Sequence, residues 1–459
     1  MYKQSLFSTF DFVILPLYLL VIYIIANRKK NKLIENKPEY KYYSKALFAR
    51  IFSGIFFCIF YVYYYGGGDT TAYFIGGKAM YYLFYKSWGF FSYAMLYGNK
   101  GGVVGYFFDY SQGVPPSYMM DDSQTFFVIR FITPFVFLAL KSYVITSVFM
   151  AWFGFSGIWK LFLVFRHYFP KCERQLAFSI LFFPSVLFWG SGIMKDTITL
   201  SSVGWYTYAV FMIFFEKKKI IKHIIVLVIA VFLIISTKPF IVIALMPGSM
   251  VWLLSSRIKN IKNKVIRLFI TPLLIISFLI IGSSIMSSLS SSMGQYSTLD
   301  NILKTAAITQ QDLLRVEAYG TNSYNIGTFE PTLAGVTPKI PAALLAGLFR
   351  PFLWDSANIV MLISGTENTI LLLLVFYCFF RVGIFKFFSI IFGDPLLLFS
   401  ILFSIFFAFT VGLASANFGA LVRYKIPLLP FFVATLFVTL NKTQEAYKLK
   451  KAEKEAEKV

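Results

Sequence analysis

The chain has 459 residues, of which 58% are hydrophobic, 20% aromatic and only 14% charged. So much apolar surface cannot all be hidden in a water-soluble core, so a soluble globular protein is excluded and part of the chain must face lipid. The net charge of +22 would suggest nucleic acid in a soluble protein. Here the basic residues cluster between apolar runs, which points to positive-inside membrane topology and to no nucleic-acid partner.

A spanning helix needs about 20 apolar residues, because the hydrocarbon slab is about 30 Å thick and a helix rises about 1.5 Å per residue. Such runs recur along the chain without the alternation that a barrel strand requires. The expected fold is therefore all-α, a polytopic helical membrane protein with about 11–13 spans. Three cysteines, Cys58, Cys172 and Cys378, have no paired spacing and read as packing residues rather than as a disulfide or metal framework.

In chain order, the expectation begins with the N-terminus outside and a span at 10–26, followed by the basic run Arg28, Lys29, Lys30, Lys32 in the cytoplasm. This stretch lacks a cleavage site and reads as a retained helix. A second span at 46–65 leads into a first large outer loop, 66–124, rich in Gly, Tyr and Phe. The run at 125–140 carries Arg130 and Pro134 and reads as partly embedded or re-entrant. Further spans are expected at 143–165, 176–190, 197–215, 224–235, 240–254 and 268–286, then a second outer loop at 287–358. Spans at 359–380, 395–413 and 426–440 complete a single transmembrane domain, 1–441, and 442–459 is a charged cytoplasmic tail. Basic clusters at Arg166 to Arg174, Lys217 to Lys222, Arg257 to Arg267 and Arg381 to Lys386 mark the cytoplasmic turns.

Ionisable groups at membrane depth or on the expected outer face are costly to desolvate, which makes them site candidates. Asp69 follows Gly66, Gly67 and Gly68; it either caps the helix that begins there or acts as a base on an acceptor hydroxyl, with the glycines admitting substrate. Asp121 and Asp122 either cap the next helix or hold a divalent cation, the one cofactor the sequence suggests. Lys195 and Asp196 sit in an outer turn against the charge rule, so each needs a partner: a substrate phosphate or a neighbouring carboxylate. Lys238 repeats the theme in the next outer turn. Arg350, Arg423 and Lys425 are further outer cations; beside aromatics they suit anionic lipid-linked groups, or they pair with Asp355 or Glu367. Both histidines, His167 and His223, fall on the cytoplasmic side.

Three of these features resemble the C-type polytopic glycosyltransferases: Asp69 in the first outer loop, the turn from Pro184 and Ser185 through Trp189, Gly190 and Gly192 to Lys195 and Asp196, and the terminal Arg423, Tyr424, Lys425, Pro427 and Pro430. Asp69 here follows the second expected span, whereas in that family the loop usually follows the first. The resemblance implies a polyprenyl-phosphate-linked sugar as donor, a glycan acceptor, a membrane-lipid environment and Asp69 as catalytic base, with substrate contacts from Lys195, Asp196, Lys238, Arg350, Arg423 and Lys425. It implies an envelope glycan enzyme of a bacterial inner membrane. The chain also looks like the O-antigen and exopolysaccharide polymerases; that likeness implies Arg315, Arg350 and Arg423 on a lipid pyrophosphate and Asp69 or Glu317 activating the acceptor. A transporter or scaffold is the reading from a different class, and the spans lack the buried acidic pairs and matched broken helices of an ion-coupled carrier.

Overall fold

The computed structural model describes residues 6–99, 116–259, 298–315 and 322–457, with isolated positions at 102, 104, 105, 108, 114 and 273. The stretch Tyr110 to Gly113, the expected span at 268–286 and Glu317 lie outside the described residues. Among those residues the secondary structure is helical, with one isolated β-bridge between Ser323 and Asn417.

Among the described residues seven helices are long and apolar enough to cross a membrane: Thr9–Ile34, Pro38–Tyr63, Tyr143–Tyr168, Lys195–Phe215, Ile220–Thr237, Ile359–Val382 and Pro395–Ala414. An eighth is counted if Phe418–Tyr424 and Leu429–Ala456, bent by 65°, form one broken span. The chain is thus a polytopic helical membrane protein, with fewer spans among the described residues than the 11–13 expected. The shortfall has local causes. The run at 176–190 is apolar throughout, but a π-turn at Ala177–Phe182 is followed by Pro184, which restarts a six-residue helix, Pro184–Trp189. Phe240–Lys259 contains Pro247, and its apolar part, Phe240–Ser255, falls short of a span. Ser123–Leu138, expected to be partly embedded, is a 16-residue helix containing Pro134. Leu429–Ala456 continues as helix through the expected tail.

The chain divides into two compact units, Met1–Val164 with Leu181–Lys238, and Phe165–Ile180 with Pro239–Val459. In the first unit the helices are α1 (Thr9–Ile34), α2 (Tyr43–Tyr63), α3 (Asp69–Lys86), α4 (Trp88–Tyr97), α5 (Ser117–Asp121), α6 (Ser123–Leu138) and α7 (Tyr143–Tyr168). Pro184–Trp189 is α8, Lys195–Val210 is α9 and Ile220–Thr237 is α10. The described part of the first expected loop is therefore mostly helix. Lipid-facing and central helices separate clearly: 17% of the apolar stretch of α1 is buried against 67% of that of α7. Small residues let α7 and α9 touch at the backbone. A Cβ on Gly157 would fall 2.0 Å from the Ser201 carbonyl oxygen, and one on Gly204 would fall 2.2 Å from that of Gly157. In lipid, where apolar side chains gain little by leaving the solvent, such close contact is what holds helices together.

The second unit is built around α11 (Pro395–Ala414), which packs on Phe240–Lys259, Leu299–Leu313, Ile340–Phe349 and Leu429–Ala456. Gly347 and Gly412 play the same part as the glycines of α7 and α9. A Cβ on Gly347 would fall 1.9 Å from the Ala408 carbonyl oxygen, and one on Gly412 would fall 1.9 Å from that of Ala343.

Candidate functional site

Three glycines open the first unit's candidate site. Gly66, Gly67 and Gly68 have φ of 69°, 126° and 135°, backbone conformations that side-chain-bearing residues avoid. The run is thus required by the turn from α2 into α3, whatever else approaches it. The start of α3 is capped by Thr71, whose Oγ1 accepts from the Gly68 N–H at 3.1 Å and donates to the Gly68 carbonyl at 2.8 Å. Asp69 is therefore the first helical residue and not the cap. Its carboxylate lies in the positive first turn of the helix dipole and is partly exposed. Burial first, and then the charge of Asp69, raise the pKa of the Tyr118 phenol.

Tyr118 belongs to α5, which ends one residue before Asp122. Asp122 is the cap that the sequence suggested: its carboxylate accepts from the N–H groups of Gln124 at 3.3 Å and Thr125 at 3.0 Å. It also accepts from the Thr125 hydroxyl and from Lys195 Nζ, the latter at 3.3 Å, while Lys195 donates to Thr125 Oγ1 at 2.8 Å. Burial pushes the Asp122 carboxyl up, but the Lys195 charge and the hydrogen bonds from Thr125, Lys195 and Gln124 outweigh it, so its pKa lies below the ordinary value. Asp121 is exposed at the end of α5. Among the described residues no three His, Cys, Asp or Glu side chains gather as a cation site.

The residue after Lys195 has a different fate. Asp196 and Lys238, from successive turns, meet at 2.5 Å with only 3% and 8% of their side chains exposed. Beneath them Thr197 Oγ1 donates to the Gly192 carbonyl at 2.6 Å. Arg50, on α2, is fully buried and donates to the carbonyls of Gly190 at 2.6 Å and Val186 at 3.0 Å. Its charge thus faces the negative end of α8 and fixes the turn that carries Lys195 and Asp196. Sequence reasoning missed Arg50, although an arginine inside an apolar run is itself a signal.

In the second unit, Arg350 is held by Asp355 through two bonds of 3.2 Å, Nε to Oδ2 and Nη2 to Oδ1. Its guanidinium also lies 5.3 Å from the ring centre of Tyr324, 5.6 Å from that of Phe418 and 5.9 Å from that of Phe352. Lys425 is buried, and its three ammonium protons are matched by three acceptors: Asn368 Oδ1 at 2.5 Å and the carbonyls of Arg350 at 3.1 Å and Leu348 at 3.3 Å. Asn368 in turn donates to the Pro351 carbonyl at 3.1 Å. Lys425 therefore pins the break between Phe418–Tyr424 and Leu429–Ala456 to the turn at Arg350. Arg423 is half-buried near the end of Phe418–Tyr424. Arg315 pairs with Asp312.

The structure thus brings Lys195 to Asp122, Asp196 to Lys238, and Lys425 to the backbone of Arg350. Compared with known proteins, the chain matches no family model, no curated protein and no solved structure.

Proposed function

We propose that the chain is a glycosyltransferase of a bacterial inner membrane that transfers sugar from a polyprenyl phosphate to a glycan acceptor on the outer face, with Asp69 as base. One observation carries the reading. Asp69 is near enough to Tyr118 for its charge, after burial, to raise the phenol's pKa, and Lys195 reaches Asp122 and Thr125 just beyond α5. Asp122 follows α5 directly, its N–H donating to the Tyr118 carbonyl at 3.2 Å, so a carboxylate and a cation act at the two ends of one short, partly exposed element. Thr71 makes the side-chain cap at α3, so a base role for Asp69 does not compete with capping.

In the proposed step Asp69 accepts the proton of the acceptor hydroxyl as that oxygen bonds to the anomeric carbon. The bond from that carbon to the phosphate oxygen breaks, and the electron pair leaves with the polyprenyl phosphate. Lys195 exchanges part of its interaction with Asp122 for the departing phosphate. The polymerase reading relies more on Arg315 and Arg350, and each of these already faces a carboxylate. Arg423, half-buried near the end of Phe418–Tyr424, is the third arginine of that reading.

The test is turnover of lipid-linked sugar in membranes at matched expression. Asp69→Asn keeps size and helix start but removes the base, so activity should fall about 100-fold or more; Lys195→Met should also lose activity while the protein stays folded. Wild-type turnover in Asp69→Asn overturns the assignment. Turnover in wild-type membranes no higher than in membranes without the protein favours a transporter or scaffold.

A further inference from the structure

At the end of the α9–α10 hairpin remote from Lys238, the two helices are joined by a turn in which Lys217 and Lys219 take left-handed backbone, with φ of 53° and 49°. Beside this turn the first unit encloses a cavity of about 460 Å³. Its polar lining is cationic and aromatic: Lys160, Lys218, Lys219, Lys222, His223 and Tyr208. Lys160 reaches in from α7 with its ammonium 4.3 Å from the ring centre of Tyr208.

Among the described residues the charges of this lining do not balance. Lys218 has a carboxylate partner, Glu216 at 2.6 Å. The charges that act on Lys160 are three more lysines, Lys29, Lys222 and Lys37. Among the described residues no carboxylate stands within ion-pair distance of Lys160, Lys219 or Lys222. Like charges gathered in a partly enclosed, low-dielectric space repel one another, and an anion that enters lowers the energy of all of them. His223 is buried with Nδ1 against the carbonyls of Lys218 at 3.0 Å and Lys219 at 2.9 Å, which assigns the proton to Nδ1.

The other wall of the cavity is apolar, formed by Trp205, Met212, Val226 and Ile229. It continues into the exposed face of α10, where Ile221, Ile225 and Val228 are 78%, 56% and 62% exposed. A ligand that fits has a compact anionic head for the lysines and a hydrocarbon portion for this face. We propose that the cavity binds the phosphate of an anionic membrane lipid, its acyl chain lying along α10. On the positive-inside reading this leaflet is the one opposite Asp69, so the proposal stands apart from the catalytic reading.

Trp205 lines the cavity and serves as its reporter. The full chain is reconstituted into phosphatidylcholine vesicles in which brominated acyl chains are carried either by phosphatidylglycerol or by phosphatidylcholine itself. Subtracting the signal of Trp205→Phe isolates the share of this residue among the seven tryptophans. Brominated phosphatidylglycerol should quench that share more strongly than brominated phosphatidylcholine. Lys160→Gln and Lys222→Gln should each weaken the preference about fivefold, whereas Lys222→Arg, which keeps the charge, should retain it and so separates lost binding from lost folding. Equal quenching by the two lipids overturns the proposal. So does loss of the preference in excess inorganic phosphate at constant ionic strength, which would reassign the cavity to a soluble anion.

Discussion

Lys195 and Asp196 are neighbours in sequence and opposites in environment. The Lys195–Asp122 pair has 21% and 48% of its side chains exposed, and the carboxylate also caps a helix; the Asp196–Lys238 pair has 3% and 8%. One helix start thus presents one ion to a surface where partners can be exchanged and drives the other into the protein, where they cannot. Exposed ion pairs contribute little to stability and are easily redirected to a ligand. A buried pair is costly to break, because either partner alone is a charge without water. Position on the helix, rather than residue type, separates the two roles.

The sharpest way to break this contrast is Asp196→Ala. It takes the carboxylate away from the buried Lys238 ammonium and should cost about 3–5 kcal/mol, read as a fall in the thermal midpoint of the purified protein. The joint change Asp196→Leu with Lys238→Met should recover most of the loss, since an apolar pair of similar volume is often neutral or better. Wild-type stability in the single variant would erase the distinction. Lys425→Met should rank next: it leaves Asn368 and two carbonyls without their donor, at about 1–3 kcal/mol. A change below the noise of the same measurement would return Lys425 to the list of substrate contacts.

Lys195→Ala should have the smallest effect on stability, about 1 kcal/mol or less. Its pH dependence sharpens the comparison. The folded Asp122 carboxyl has a pKa below its ordinary 3.8, so its contribution is whole above that value and is lost as pH falls through the lower folded one. The difference in thermal midpoint between wild type and Lys195→Ala should therefore stay constant from neutral pH to about 4 and shrink below it. A difference that collapses near neutrality would refute the assignment.

Much of this was legible in the sequence. The apolar runs declared a helical membrane protein, Asp122 was one of three acidic residues, with Asp69 and Asp121, for which capping was one reading, and Lys195 violated the charge rule strongly enough to demand a partner. The partner itself, 73 residues away, was not legible, because nothing local links the two. Fewer spans stand among the described residues than were expected, because hydropathy measures composition and not continuity: residues 176–190 are as apolar as a span, yet Pro184 and the π-turn break them. Lys425 looked like an outer cation at a helix mouth. Its burial depends on acceptors from two other segments, Leu348 with Arg350 and Asn368, which no single stretch of sequence reveals.

Arg50 carries a consequence for how the protein is made. Its acceptors lie 136 and 140 residues downstream. At synthesis rates of about 5–20 residues per second, α2 waits roughly 7 to 28 s before the Val186 and Gly190 carbonyls exist. During that interval its guanidinium lacks the two α8 carbonyls that it meets in the finished fold. Insertion of α2 and its final seating are therefore separate events in time, and the second awaits the arrival of α8.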